Sequence, residues 1–422
     1  MAGAPLKPGA EPPPARGRQG GGTGRGGPSA SSAHLLHVFS NFVATGPEVR
    51  TVQLIGALGG EFRHSIVSMD GRAGAAERLP PGAAARLLEA PPRAGTLRTV
   101  PRLLALLRRE RPDLVLTYGW GAFDMVLAAL ITFRGPRALR VVHHEEGFSG
   151  PESQFNRRRV LARRLILPGI FRLVVPSRGL MEFAVRAWKV PPEKLCLIPN
   201  GVDADHFRLA ADRSVTRREL GLPDDALVVG TVSRLRPVKN LPRLLAAMAE
   251  LAARLPEAHL LIVGDGPERE ALEARAAALP ELAGRVCFAG EQSDLPRFYR
   301  AMDVFALPSD SEQMPVSLLE AMACGVPAVA TDVGDVREVL PAEQRAFVVA
   351  IDGAGQEQAT VGHLAQRLET LLRDRGLRQR LGLANRQRVE RRYTFEAMRR
   401  TYRDLYWQGI GGRHGGGAEQ SA

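Results

Sequence analysis

Residues 304–331 read VFALPSDSEQMPVSLLEAMACGVPAVAT, two short apolar runs separated by a helical segment. The runs Val304–Leu307 and Pro327–Thr331 are typical of strands buried on both faces. Between them, Pro315 suits the first position of a helix, which Gly325 then ends. The stretch therefore predicts a strand, a helix that begins near the carboxyl end of that strand, and a second strand.

The same alternation of apolar runs and helical segments extends over most of the chain. In the N-terminal half it predicts strands at His34–Phe39, His64–Ser68, Leu114–Thr117, Arg140–His144, Arg172–Val175 and Lys194–Ile198. In the C-terminal half it predicts strands at Leu227–Val232, His259–Gly264, Val286–Ala289, Val304–Leu307, Pro327–Thr331 and Phe347–Ile351. Strands that alternate with helices indicate the α/β class, with parallel sheets covered by helices on both faces. We therefore predict two similar α/β halves.

The predicted domain boundaries follow from composition and turns. A chain of 422 residues exceeds one ordinary core. Nine Gly and six Pro within residues 1–33 predict a disordered leader, and the Gly-rich residues 411–422 predict a disordered tail. Because a turn at 199–201 suits a domain junction, we place one domain at 34–203 and the second at 204–390. Residues 391–410 are predicted to form a C-terminal helix that crosses back to the first domain.

The charge of the chain is strongly positive. There are 57 Lys and Arg against 45 Asp and Glu, which gives a net charge of +12. Such a balance suggests nucleic acid, an anionic membrane or a phosphorylated substrate. A nucleic-acid-binding module is disfavoured because aromatic residues make up only 5% of the chain and none interleaves with a basic face. We therefore expect an acidic partner other than nucleic acid.

Several classes of protein are excluded or made unattractive by the sequence. The most hydrophobic run, Met125–Ile131, is too short to cross a bilayer, and the N-terminus has no apolar signal region. Three widely spaced cysteines fit neither a disulfide framework nor a zinc site. The expected location is therefore the cytoplasm.

Charged residues near two strand ends carry the candidate chemistry. Glu320 is a lone carboxylate in an apolar helix, and Glu312 precedes it by eight residues, or about 12 Å along a helix. That separation suits the two ends of one elongated ligand better than a cooperating acid and base. Arg234 and Lys239 are two cations, five residues apart, that follow the strand Leu227–Val232.

These residues resemble motifs of the retaining glycosyltransferases of family 4, which have the GT-B fold. Glu312 and Glu320 match the E-x7-E motif of that family, and Arg234 and Lys239 match its Gly…Arg…Lys-Asn motif. The resemblance covers essentially residues 34–410. It implies two Rossmann-like, doubly wound domains that face each other across a cleft, with the acceptor bound by the first and a nucleotide sugar by the second.

The resemblance also implies a role for each motif residue. Glu320 would bind the ribose hydroxyls, Glu312 the transferred sugar, and Arg234 and Lys239 the diphosphate. The other implied donor-binding residues are Gly46, Gly264, Gly290, Glu291, Met314, Pro315 and Val316. Many members have Gly-Phe-Gly after the first glutamate, where this chain has Gln313, Met314 and Pro315. A nucleotide-diphosphate sugar is thus the expected co-substrate, with no further cofactor and no metal.

Three further features concern the acceptor and the surface. His143 and His144 end a strand in the position that the resemblance assigns to acceptor contact, and we expect one of them, His144 by preference, to act as a polar group in the active site. The Asp203-Ala204-Asp205 stretch formally matches a metal-binding D-x-D motif but is interpreted as part of a structural turn. The basic amphipathic helix Arg157–Arg164 is either a solvated face or a contact with anionic lipid.

The sequence thus predicts a retaining hexosyltransferase-type enzyme that moves a sugar to an acceptor hydroxyl. The expected acceptor is a glycan or a lipid-linked molecule in cell-envelope, exopolysaccharide or glycolipid synthesis, and the expected location is the cytoplasm or the inner face of the membrane. Two alternatives stay open at this point. One is a nucleotide-sugar epimerase or hydrolase of the same fold, and the other is the disfavoured basic nucleic-acid-binding protein.

Overall fold

The computed structural model of the chain describes residues 32–132, 139–147, 157–209, 213–223, 225–351 and 357–411. The predicted leader, residues 1–33, and the predicted tail, residues 411–422, lie almost wholly outside the described residues. All the predicted strands are present, with ends that shift by at most two residues. The alternation of apolar runs and helices is therefore sufficient to locate the two sheets.

The N-terminal half contains a seven-stranded parallel sheet with the order β3-β2-β1-β4-β5-β6-β7. Its strands are β1 (Ala33–Phe39), β2 (Phe62–Ser68), β3 (Ala85–Leu88), β4 (Leu114–Tyr118), β5 (Val141–His144), β6 (Arg172–Val175) and β7 (Leu195–Leu197). The central strand β1 pairs with both β2 and β4, so that Leu35 lies opposite His64 and Leu114. The edge strand β3 was not predicted, because it is short and half-exposed and lacks a buried apolar run.

Helices cover both faces of this sheet. They are α1 (Gly46–Leu58), α2 (Thr96–Glu110), α3 (Phe123–Thr132), α4 (Arg157–Ile166) and α5 (Arg178–Arg186). Helix α2 shows the pattern most clearly, since it buries Val100, Leu103, Leu106 and Leu107 at helical spacing while its other face carries arginines. The two resulting apolar layers enclose the strands from both sides.

The C-terminal half repeats this design with a six-stranded sheet of order β10-β9-β8-β11-β12-β13. Its strands are β8 (Leu227–Val232), β9 (Ala258–Val263), β10 (Val286–Gly290), β11 (Val304–Leu307), β12 (Ala328–Thr331) and β13 (Val348–Val349). Its helices are α6 (Ser214–Glu219), α7 (Leu241–Ala252), α8 (Arg269–Ala277), α9 (Leu295–Ala301), α10 (Val316–Ala323), α11 (Val336–Val339), α12 (Glu357–Arg373) and α13 (Arg375–Arg392). In both sheets the strand order reverses beside the first strand, and ligands bind at such switch points in open α/β sheets.

The last helix, α14 (Phe395–Ile410), packs on the N-terminal half. Tyr402 and Tyr406 are buried in the apolar layer that covers β1, β2 and β4, and Arg403 donates to Glu61 over 2.7 Å. The segment that follows β7 packs tightly against the residue that precedes α14, because a Cβ on Gly201 would lie 2.5 Å from the carbonyl oxygen of Thr394. The chain therefore crosses between the halves twice at one place.

Candidate active site

A cavity of about 530 Å³ lies between the two halves, beyond the carboxyl ends of β8, β9 and β10. The N-terminal half contributes Ala44 and Arg78. The C-terminal half contributes Val232, Ser233, Arg234, Val263, Gly264, Asp265, Gly266, Glu291, Gln292 and Leu295. Of the residues predicted to bind the donor, Arg234, Gly264 and Glu291 therefore line one cavity.

Two glycines let the strand ends approach each other at the floor of this cavity. Gly264 has φ of +123°, and a Cβ there would lie 2.0 Å from the carbonyl oxygen of Ser233. A Cβ on Gly266 would lie 2.4 Å from the carbonyl oxygen of Leu235. Because the obstructing atoms are backbone atoms, neither position accepts a larger residue without moving the strand ends. These two glycines thus shape the cavity.

The two predicted cations behave differently. The side chain of Arg234 is exposed, lines the cavity and forms no ion pair with another described residue. Lys239 ends a short turn and donates from Nζ to Oε1 of Glu312 over 2.6 Å. The structure thus leaves one guanidinium available to a ligand and pairs the ammonium with the first glutamate of the motif.

Glu312 is held in place from two sides. Its Oε1 atom also accepts a hydrogen bond from Oγ of Ser309 over 2.7 Å, and its side chain is only 10% exposed. The carboxylate is therefore oriented by a cation and a hydroxyl before any ligand arrives. Lys239 and Glu312, which the sequence analysis assigned to different parts of the donor, meet at one point.

Glu320 lies on α10 and is partly exposed. The hydroxyl of the buried Tyr299 donates to its Oε2 atom over 2.6 Å. Burial raises the pKa of Glu320 from 4.5 to about 7, although the hydrogen bond from Tyr299 acts in the opposite direction. Among the described residues, Glu320 is not part of the cavity lining.

The residues between the two glutamates form a loop that enters α10. Met314 is buried, Pro315 directly precedes the helix, and Val316 is its first residue and is 37% exposed. The prediction that Pro315 is the first helical residue is thus wrong by one position. The helix N-terminus nevertheless follows the strand β11, as the sequence predicted.

The remaining predicted donor residues lie at or directly beside the ends of helices and strands. Gly46 is exposed at the start of α1, and a Cβ there would meet no atom within 4 Å, so that packing alone does not require glycine. Gly290 ends β10 with φ of +71° and accepts at its carbonyl from the amide of Gly264 over 2.8 Å. Glu291 is 79% exposed and lies 3.9 Å from Arg78 across the cavity.

The histidines end the strand β5, as predicted, but their side chains are not exposed to the cleft. The side chains of His143 and His144 are both fully buried. His143 bonds to Thr117 and Glu145, and His144 donates from Nδ1 to the carbonyl oxygen of Thr117 and stacks on Tyr118. Burial, with a smaller contribution from nearby charge, holds the pKa of His144 well below its usual range. The expectation that either ring contacts an acceptor in the cleft is therefore wrong for this arrangement of the chain.

The basic helix α4 is only partly the solvated surface that the sequence suggested. Arg163 is buried, donates from Nε to Glu145 over 2.6 Å and stacks on Trp120 and Trp188. The rest of the helix presents two exposed leucines, Leu161 at 55% and Leu165 at 72%, beside exposed arginines. No helix within the described residues is long and apolar enough to cross a bilayer.

The acidic clusters that could suggest a metal are structural. Asp203 uses Oδ1 to accept from the amides of Asp205 and His206, each over 3.0 Å, so its carboxylate closes a turn. Within the described residues, no group of three or more His, Cys, Asp or Glu side chains is arranged to hold a metal ion.

The residues that connect the N-terminal half to the site were not predicted from the sequence. Arg78 ends a short turn that carries no motif, yet it reaches the cavity. Asn200 of the N-terminal half bonds to Met314 of the C-terminal half, and Gln313 of the C-terminal half bonds to Ser177 of the N-terminal half. The only sequence signals for Asn200 and Gln313 were the turn at 199–201 and the motif position of Gln313. Contacts of this kind join residues more than a hundred positions apart, and no local pattern records them.

Comparison with known proteins agrees with this geometry. Residues 44–206 match the family model described as Glycosyltransferase Family 4, and residues 212–388 match the model described as Glycosyl transferases group 1. Among solved structures, HepE of Anabaena in complex with UDP and glucose is 19% identical, with a TM-score of 0.74 over 89% of this chain and 100% of that chain. Sucrose-phosphate synthase of Thermosynechococcus elongatus is 23% identical, with a TM-score of 0.72 over 89% and 99% of the two chains.

Curated relatives are more similar in sequence over shorter stretches. A GDP-mannose-dependent monoacylated alpha-(1-6)-phosphatidylinositol monomannoside mannosyltransferase of Corynebacterium glutamicum is 34% identical over 212 residues, which cover 48% of this chain and 53% of the relative. A D-inositol 3-phosphate glycosyltransferase of a Mycobacterium species is 35% identical over 262 residues, which cover 60% and 56%. The chain thus spans about half the length of the curated relatives it matches.

Two Rossmann-like halves with a shared cavity at their facing strand ends define the GT-B class, which confirms the predicted fold. With both family models matched in succession, the chain belongs to the family 4 (group 1) glycosyltransferases, as its motifs predicted.

Replacing Glu320 by glutamine should change the pH dependence of stability. The raised pKa of the folded state means that Glu320 favours folding fully below pH 4.5 and loses that contribution as pH rises to about 7. Glu320→Gln should therefore melt close to wild type at pH 4.5 and above it at pH 8, by at most about 3 kcal/mol in unfolding free energy. Thermal melts across this range measure the difference.

The solvent-exposed Glu270 provides the matched control, since its side chain lies on the surface of α8. The difference in melting temperature between Glu270→Gln and wild type should not widen from pH 4.5 to pH 8. A stability difference between Glu320→Gln and wild type that stays constant with pH would contradict the raised pKa of this carboxyl.

Proposed function

We propose that this chain is a retaining, hexosyltransferase-type glycosyltransferase that moves a sugar from a nucleotide-diphosphate sugar to an acceptor hydroxyl. The observation that carries the proposal is the exposed guanidinium of Arg234, which faces a cavity of about 530 Å³ between two Rossmann-like halves without an ion-pair partner among the described residues. A cation left free in such a cavity suits an anionic donor.

The donor proposed here occupies the C-terminal half. Its diphosphate meets Arg234 and Lys239, its sugar meets Glu312, and its ribose meets Glu320, with Gly46, Gly264, Gly290 and Glu291 around it. Solved relatives are described in complex with UDP or UDP-glucose, whereas a curated relative is GDP-mannose-dependent. The donor class is therefore supported by both kinds of relative, while the base and the sugar are left to experiment.

The proposed chemistry needs no protein base and no metal. The bond from the anomeric carbon to the phosphate oxygen breaks, the acceptor oxygen bonds to the same face of that carbon, and the departing phosphate takes the acceptor proton. Arg234 and Lys239 stabilise the negative charge on the phosphate. The contacts of Glu312 are consistent with a reaction that uses no protein base. Its Oε1 atom already accepts hydrogen bonds from Lys239 and Ser309 and is thus poorly placed to accept a proton.

The acceptor is proposed to be a glycan or a lipid-linked molecule bound by the N-terminal half. A second cavity, of about 690 Å³, lies beyond the ends of β2 and β3. Asp70, Glu89 and Arg93 give it polar walls, and Pro91 and Leu88 give it apolar ones. Mixed walls of this kind suit a sugar that carries an apolar group.

A role in cell-envelope, exopolysaccharide or glycolipid synthesis at the inner face of the membrane completes the proposal. Helix α4 supports it, since exposed Leu161 and Leu165 lie beside exposed arginines. An amphipathic helix of this composition binds the interface of an anionic bilayer. The buried Arg163 takes no part in this contact.

Nucleotide sugars should raise the melting temperature of the wild-type chain. A ligand that binds only the native state at a hundred times its dissociation constant adds about 2.7 kcal/mol of stability. Thermal-shift measurements with UDP and GDP sugars identify the base, and Glu320→Ala should lose the shift while Glu270→Ala keeps it. The proposed function would be wrong if no nucleotide sugar stabilised the chain.

Removal of either donor cation should slow transfer. Arg234→Gln and Lys239→Met should each lower turnover by about a hundredfold or more, because they leave developing phosphate charge unscreened. The exposed Arg236→Gln, two residues along and outside the cavity lining, is the control and should keep its rate. Rates follow nucleotide release, and NMR of the product reports the anomeric configuration; an inverted product would refute retention.

Vesicle binding should depend on the exposed leucines of α4. Wild type should co-sediment with vesicles that contain phosphatidylglycerol, less at high salt and little with pure phosphatidylcholine. Leu161→Glu with Leu165→Glu should abolish this, whereas replacement by glutamate of Leu383, a leucine of the C-terminal half that is as exposed as Leu161, should not. Equal sedimentation of both variants would argue against the proposed contact.

A further inference from the structure

The loop after Glu312 forms hydrogen bonds with the N-terminal half. The hydroxyl of Ser177, in the N-terminal half, donates to Oε1 of Gln313 over 2.7 Å. Ser177 is fully buried and its Oγ also accepts from the amide of Leu180, which caps the start of α5. One hydroxyl therefore both caps a helix of one half and binds the motif loop of the other.

Asp335 closes a ring of hydrogen bonds around this contact. Its amide donates to the carbonyl oxygen of Gln313 over 2.9 Å. Its carboxylate accepts from the amides of Arg178 and Gly179 over 2.7 and 3.3 Å, at the same end of α5. Gln313 is thus joined to α5 directly by its side chain and indirectly through Asp335.

The next residue is fixed to the N-terminal half as well. The side-chain amide of Asn200 donates to the carbonyl oxygen of Met314 over 2.9 Å, and its backbone amide meets the sulfur of Met314 at 3.1 Å. Asn200 in turn accepts from Arg50 over 2.8 Å, and Arg50 forms an ion pair with Glu146. Two consecutive loop residues are therefore anchored across the cleft.

Two glycines allow the neighbouring chain segments to approach this loop closely. A Cβ on Gly147 would lie 2.5 Å from Cγ of Gln313, and a Cβ on Gly334 would lie 2.3 Å from the carbonyl oxygen of Glu312. Both glycines have positive φ, of +120° and +52°. The N-terminal half therefore lies against the loop at Gly147, and the C-terminal half lies against it at Gly334.

From these contacts we infer that Gln313 is a positioning residue, which ties the carboxylate of Glu312 to the closed arrangement of the two halves. Only one peptide bond separates the interdomain contact of Gln313 from Glu312, whose Oε1 meets Lys239. Opening the cleft breaks the bonds to Ser177, Asn200 and α5 together and frees the loop. The orientation of Glu312 towards the donor therefore depends on closure, a statement that rests on the proposed function.

The test is a double-mutant cycle on the full chain with Gln313→Ala, Ser177→Ala and both together. Gln313→Ala should lower kcat about tenfold while the KM for the donor stays within about threefold, because binding groups remain and only orientation is lost. The double variant should be no slower than the slower single variant. The loss of the helix cap in Ser177→Ala occurs on both sides of the cycle and cancels.

Gln313→Glu supplies the conservative rescue, since it keeps an oxygen that accepts from Ser177, and it should regain most of the rate. Gln358→Ala is the control, because Gln358 bonds Glu250 within the C-terminal half. Independent losses in the cycle, or a Gln313→Glu variant as slow as Gln313→Ala, would overturn the inference.

Small-angle X-ray scattering provides a readout that does not require activity. Without ligand, Gln313→Ala should have a larger radius of gyration than wild type and Gln358→Ala, and an unchanged radius would overturn the inference by itself. If no nucleotide sugar is turned over, the proposed function fails while the scattering still decides whether Gln313 holds the halves together. If transfer occurs but the cycle and the scattering show no effect, the inference alone fails.

Discussion

Parallel pairing forces every strand of a sheet to end at the same edge, and both sheets of this chain obey that constraint. The edges of the two halves face each other, so the loops after β8, β9 and β10 meet the loops after β1 and β2 without any specific design of the cavity. Arg78 and Glu291 illustrate this result, since they come from different halves and lie 3.9 Å apart. The site is a consequence of strand direction, and its chemistry is a matter of which side chains the loops carry.

Backbone contacts, rather than side chains, set how closely these loops approach. Gly264 and Gly266 allow the segments after β8 and β9 to pack against each other, and Gly334 allows the loop after β12 to contact the backbone of Glu312. Gly201 does the same where the chain crosses between halves, beside Thr394. Since the obstructing atoms are main-chain oxygens, no rotamer change would relieve the contact, and these positions do not accept a larger residue without a shift of the backbone.

The sequence was informative wherever a signal was local. Apolar runs located every strand except β3, whose exposed residues Ala85–Leu88 carry no such run, and motif spacing located Arg234, Lys239, Glu312 and Glu320. It failed where the signal was tertiary. His144 looked like a polar group at a strand end, but α14 returns from the other half and covers that region with Tyr402, whose ring stacks on the imidazole. Arg163 looked solvated, but two tryptophans from elsewhere in the fold enclose it.

The pairing of Lys239 with Glu312 bears on how the site handles charge. A buried carboxylate near an incoming diphosphate would repel it, yet here Lys239 already neutralises that carboxylate at 2.6 Å. In the proposed function, an arriving phosphate would compete with Glu312 for the same ammonium, whereas Arg234 has no such competitor among the described residues. In the proposed function, Arg234 would therefore be the cation that first attracts the donor, and Lys239 would share its charge between the phosphate and the glutamate once the donor is bound.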